Sequence, residues 1–215
     1  MNQQIKAIAT RSLASGAAAA CLCLGCGHPG PKLELNSSYE VLGAVTAEET
    51  AKLAGEKGRV MVFVREAGRG KNPWIRAELA AFQQTLKKHP GLSLVTETIP
   101  VSQMAMMAGG GGLPADQFLH ALETHADLAA VVSFFGFPQL AEPELEALQK
   151  SGVKTVVVSA LRPGYKELLQ RQALQVLIMP REDTPPLGAP APRTLRERFE
   201  REYTLLTPAD AERLP

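Results

Sequence analysis

Between residues 59 and 180 the chain repeats one pattern five times: a short apolar run, then a segment with helical spacing. The first run, Val60-Met61-Val62-Phe63-Val64, is apolar at every position rather than at alternate ones. A strand needs that only when both of its faces are covered. The other runs lie at 92–95, 128–134, 153–159 and 175–179. Pro73 opens the first intervening helix, and Ile75, Leu79, Phe82 and Leu86 keep one face of it apolar. Pro114 opens a second with Phe118, Leu119 and Leu122, and Pro143 a third with Leu145 and Leu148, stopped by Ser151-Gly152. A short helix over 163–172 completes the series. Strands alternating with helices predict an α/β fold, an open, doubly wound parallel sheet in a single lobe. Right-handed crossovers with one reversal of direction give five strands in the order 2-1-3-4-5.

The flanks carry local signals. Thr46-Ala47-Glu48-Glu49 has the form of a capping box and predicts a short helix to Ala54, ended by Gly55 and Gly58. Residues 184–192 are Pro-rich and read as extended. Residues 194–203 read as a charged helix, and Thr207-Pro208-Ala209-Asp210 as the cap of a last short turn. No internal repeat is present.

The N-terminus reads differently. Lys6 and Arg11 are its only charges before Lys32, and the first acid is Glu34. Residues 13–24 are uncharged and rich in Ala, Leu and Cys, too short a stretch for the roughly 20 residues of a membrane span. A basic start, a short apolar stretch and a small-residue exit have the shape of a secretory signal. All three cysteines, Cys21, Cys23 and Cys26, lie at its end. Gly25-Cys26 resembles the lipobox of bacterial lipoproteins, with Cys23 where Leu is usual. Cys26 is preferred as the lipidated residue, with Cys21 the alternative. Cleavage after the alanines, giving a soluble exported chain, and a cytosolic chain are the other readings. The expected organisation is a signal over 1–25, a tether over 26–45, the lobe over 46–183, and a Pro-rich linker with a charged helix over 184–215.

Removing residues 1–25 takes away Lys6 and Arg11 and leaves 21 basic against 22 acidic residues, a net charge of −1. That balance offers no footprint for nucleic acid and no polybasic patch for anionic lipid. A body without cysteine beyond residue 26 has no disulfide. His28, His89, His120 and His125 are dispersed, and no metal site or cofactor is expected. Cys23 and Cys26 lack the setting of a redox or zinc pair. Arg65 to Lys71 only superficially resembles a phosphate loop, because Asn72 follows the lysine. Ser133-Phe134-Phe135 lacks the Asp of a receiver domain, and no Ser/His/Asp or Cys/His set is identifiable.

In open α/β sheets ligands bind beyond the carboxyl ends of the strands. Those positions hold Arg65, Asn72 and Trp74 after the first strand, Phe135 and Phe137 after the third, and Ser159 and Arg162 after the fourth. The loop with Met104, Met106, Met107 and Gly109 to Gly112 reads as a sticky lid. Each candidate has a structural alternative. Asn72 is a strong N-cap type before Pro73, Trp74 can pack on the sheet, and the phenylalanines can be core.

Several stretches carry a resemblance. Asn72-Pro73-Trp74 stands where one family often has Asn-Pro-Phe before a helix. Residues 118–134 look like that family's helix and following strand. Gly152 to Val158 resembles its Gly-Ile-Pro-Val-Val strand, and the tail from Tyr203 is similar to its C-terminal ends. Over 60–99 and 114–180 the chain resembles the N-terminal lobe of type I periplasmic binding proteins, the sugar-binding relatives of the LacI-type repressors. The resemblance implies that Asn72 and Trp74 meet sugar by hydrogen bonding and ring stacking. It departs from the family in having room for one lobe of two. The expected function is a non-enzymatic lipoprotein on the periplasmic face of the cell envelope that binds a small molecule, such as a sugar, or a protein partner. The alternatives are a remnant lobe that pairs with itself or another lobe, and an envelope enzyme on the same fold.

Overall fold

The computed structural model describes residues 37–66, 72–100, 112–125, 127–160, 162–183 and 191–214. The three cysteines, the Met104 loop through Gly111, and residues 184–190 lie outside the described residues.

The first helix, α1 (Ser38–Ala54), begins eight residues before the predicted capping box. The sequence holds two such boxes, and the earlier one is used. The Ser37 hydroxyl accepts from the Glu40 amide at 3.4 Å, and the Glu40 carboxylate accepts from the Ser37 amide at 2.7 Å. Thr46 lies buried in mid-helix, where its hydroxyl donates back to the Leu42 carbonyl at 2.7 Å. Residues 38–45, expected in the tether, therefore bury Val41, Leu42 and Val45 in the core.

The chain continues through β1 (Gly58–Arg65), α2 (Pro73–Leu86), β2 (Leu92–Ile99), α3 (Ala115–Thr124), β3 (Leu128–Ser133), α4 (Glu142–Ser151), β4 (Lys154–Val158), α5 (Tyr165–Gln170) and β5 (Val176–Pro180). These are the predicted alternation and order, with β2 four residues longer than expected. A sixth strand, absent from the sequence reading, extends the sheet to 2-1-3-4-5-6. After α6 (Leu195–Glu202), β6 (Tyr203–Leu206) pairs antiparallel with β5, from Leu177 opposite Leu206 to Pro180 opposite Tyr203. A 3-10 turn (Pro208–Arg213) follows, with the Asp210 carboxylate bonded to the Thr207 amide at 3.0 Å and to its hydroxyl at 2.8 Å. Residues 191–214 thus complete the lobe rather than trail from it.

The two-sided strands explain the two cores. Successive side chains point to opposite faces. Met61, Phe63, Val131, Val157 and Leu177 pack under α3, α4 and α5, with Phe118, Leu145, Leu148 and Leu169. Val60, Val62, Val64, Val132, Val156 and Ile178 pack under α1, α2 and α6, with Val45, Phe82 and Phe199. Helices α1 and α2 approach closely at Gly43, where a Cβ would stand 2.0 Å from the Glu78 carbonyl oxygen. Arg196 of α6 meets Glu49 of α1 at 2.7 Å, which locks the last helix onto the first.

Candidate functional site

Strands β1, β2, β3 and β4 all end at the same edge, where described residues line a cleft of about 800 Å³. Arg65 and Pro100 contribute from the ends of β1 and β2, Phe135 and Phe137 from the turn after β3, and Arg162 from the segment after β4. Helices α4 and α5 form the outer wall, with Glu142, Leu145, Tyr165, Leu168 and Arg171.

Arg65 is the last residue of β1 and lies on the face toward α3, α4 and α5. Its guanidinium covers the Phe135 ring, 5.3 Å from the centroid. Burial, and then the positive charge of Arg162, draw Arg65 below the ordinary guanidinium value. Both side chains remain cationic, since arginine does not lose its proton in proteins. The cleft therefore sets two mutually repelling donors beside an aromatic floor.

The turn after β3 holds that floor in place. Gly136 has φ 109°, a backbone conformation that disfavours any side chain. The Phe135 amide donates to the Ser133 hydroxyl at 3.4 Å, and the Phe137 amide to the Tyr165 hydroxyl at 3.4 Å. Phe135 and Phe137 are consequently buried, half core and half cleft wall. Across the outer wall, Arg171 forms a two-pronged pair with Glu142, one prong 2.9 Å, and reaches Glu167 at 3.4 Å. Its hydrogen bonds hold the Glu142 carboxyl below the usual carboxylate range. These contacts tie α4 to the end of α5 along the outer wall of the cleft. They also occupy the wall's two carboxylates.

The cleft brings together Arg65, Phe135 and Arg162, with Phe137. Ser159 sits behind the Gly136 turn, its amide donating to the Ile178 carbonyl at 3.0 Å. Asn72 and Trp74 lie outside the cleft lining. The Asn72 side chain caps α2, accepting from the Trp74 amide at 3.0 Å. Trp74 neither packs on the sheet nor enters the cleft: it is 52% exposed and stacks on Tyr39 of α1, with centroids 5.1 Å apart. Sequence reasoning missed Tyr165, Glu142 and Arg171. Pro163-Gly164 and Pro143 mark the helix starts that carry the first two, but nothing local says that the starts face each other. Among the described residues no three His, Cys, Asp or Glu side chains gather to hold a metal. No helix of the described residues is long and apolar enough to cross a membrane.

The topology, with a cleft at the carboxyl edge of the sheet, is that of a doubly wound α/β lobe. Solved structures of solute-binding proteins share it. One is an ABC transporter solute-binding protein from Agrobacterium vitis, solved with α-D-tagatopyranose bound. It matches at a TM-score of 0.52 and 16% identity, over 80% of this chain and 57% of that one. An arabinose-binding protein from Geobacillus stearothermophilus matches at 0.55 and 14%, over 84% and 64%. A sugar-binding protein of a sugar ABC transporter from Bacillus halodurans matches at 0.53 and 12%, over 84% and 64%. At such identity the likeness is one of fold, and this chain spans less than two thirds of their length. No family model and no curated protein matches the sequence.

Proposed function

We propose that this chain is a non-enzymatic solute-binding module of the cell envelope, tethered through lipid on Cys26 once residues 1–25 are removed. The observation that carries the binding role is the carboxyl-edge cleft, where the Arg65 guanidinium covers the Phe135 ring and Arg162 lines the same cleft. Guanidiniums beside an aromatic face suit a small molecule rich in acceptor oxygens, with an apolar face to lay on the ring. A sugar or sugar acid has that chemistry, and the solved proteins of the same fold include sugar-binding ones. The tether is supported by the shape of the first 26 residues and by the cysteine that ends them.

A thermal-shift screen against sugars and their acid derivatives tests the binding role, because a ligand selective for the native state raises Tm. The reading predicts a shift with at least one compound, lost in Arg65→Met and Arg162→Met variants that keep the parent's unliganded melt. No shift at millimolar concentration of any compound contradicts it. Mass spectrometry of the chain from bacterial membranes tests the anchor. It predicts an acylated residue 26 as the N-terminus, and an intact Met1 contradicts it.

One observation favours a second reading. The solved neighbours are longer, and the cleft here is walled by one lobe. Pairing with a second copy or another lobe would close it. Sedimentation as a dimer, abolished by Arg162→Glu at the cleft, would support pairing over solute capture by the lobe alone.

A further inference from the structure

Tyr39 and Trp74 are the exposed large hydrophobic side chains among the described residues, at 37% and 52%, and they are neighbours. Their rings stack at 5.1 Å and 23°, so they form one surface rather than two scattered contacts. The backbone explains why they meet. Helices α1 and α2 run in step, Tyr39 against Trp74 and Gly43 against Glu78, and the missing Cβ of Gly43 brings the axes together. Two capped helix starts, at Ser37 and Asn72, fix the first turns that carry the rings. The cleft lining does not include this pair, and among the described residues nothing covers it.

We propose that the Tyr39–Trp74 pair docks the lobe on the lipid–water interface of the membrane. The proposal rests on the anchor reading for Cys26. Half-exposed Trp and Tyr, each with an apolar body and one polar tip, are the side chains that settle at headgroup level. The chain itself argues for the occupant. Ser37 is two residues before Tyr39, and Cys26 is eleven before Ser37. Even fully extended, that many residues reach at most about 40 Å. A lipid on Cys26 therefore keeps this end of α1 within about one lobe diameter of the bilayer, at high effective concentration. Beyond residue 25 the chain has a net charge of −1, so its overall charge does not draw it to an anionic surface, and the aromatic pair supplies an apolar contact. The pair lies at the carboxyl edge of the sheet, at the start of α2, and the cleft opens at the same edge. Docking there holds the binding edge at the membrane.

Trp74 is the single tryptophan of the chain, so its fluorescence reads the site directly. The chain from residue 26 onward, whose only cysteine is Cys26, is coupled through that thiol to phosphatidylcholine vesicles carrying a maleimide lipid. A Cys26→Ser/Lys150→Cys chain, coupled at the exposed end of α4, is the control. The proposal predicts a blue shift of Trp74 emission and quenching by brominated lipid for coupling through residue 26, and neither through residue 150. Emission and acrylamide quenching unchanged from the uncoupled chain overturn it. So does a blue shift that appears in uncoupled protein as its concentration rises, which would assign the patch to a second copy. Chemical coupling bypasses cellular lipidation, so failure here leaves the anchor to mass spectrometry, and failure of the anchor leaves this measurement readable.

Discussion

Glu78 is a single residue whose chemistry reaches the whole fold. It faces α1 from α2, and burial alone pushes its carboxyl up to about 8. In the unfolded chain the same group titrates near 4.5. The folded state thus holds a proton that the unfolded state has lost across that interval, and stability falls as pH rises from about 4.5 toward 8. Denaturant unfolding of the parent is predicted to give lower stability at pH 8 than at pH 5.5. Glu78→Gln is predicted to flatten that dependence and to raise stability at pH 8 by up to ~4 kcal/mol. An unchanged slope in the variant contradicts this account of Glu78. Gly43 makes a second residue-scale prediction. Alanine in a helix normally stabilises relative to glycine by up to ~1 kcal/mol. Here Gly43→Ala is predicted to lower Tm, because its Cβ would strike the Glu78 carbonyl and force α1 from α2, an overpacking cost of ~1–3 kcal/mol. A raised Tm contradicts the close approach.

At the scale of elements, legibility followed how far each signal acts. The central parallel strands are legible because two-sided burial writes an unbroken apolar run, as in Val60 to Val64, whereas the edge strand β2 carries only the shorter Leu92–Val95 signal. The start of α1 is not legible, because Ser37 and Thr46 each precede a glutamate by three residues. Only the burial of Val41 and Val45 against the sheet decides between them. Strand β6 escaped notice because four residues at the end of a charged helix carry too little pattern. Its strand character comes from the unpaired edge of β5 beside it. The candidate site divided the same way. The rule of strand ends reached Arg65, Phe135 and Arg162, yet sequence distance put Trp74 after the first strand without saying that α1 would be there to stack on it. The α4–α5 wall is likewise a tertiary fact. Arg171→Ala removes its link to Glu142 and Glu167 and is predicted to leave the sheet intact but weaken any ligand-induced Tm shift. A full shift in that variant would show that the wall does not shape the site.

For the whole molecule, one sheet sorts two surface features to its two faces while keeping both at one edge. The α3, α4 and α5 face carries the cleft. The α1 and α2 face carries the aromatic pair and the point where the chain from Cys26 enters. On the proposed function, this arrangement would hold a bound solute close to the membrane surface. Nuclear magnetic resonance of the labelled chain, titrated with the compound giving the largest Tm shift, locates that solute without a crystal. The predicted result is amide shift changes centred on Gly136, Phe137, Arg162 and Gly164 at the carboxyl edge. Changes confined to the amino-edge residues Gly152, Gln172 and Gln175, or to Trp74 and its neighbours, would contradict the assignment of the cleft as the binding site.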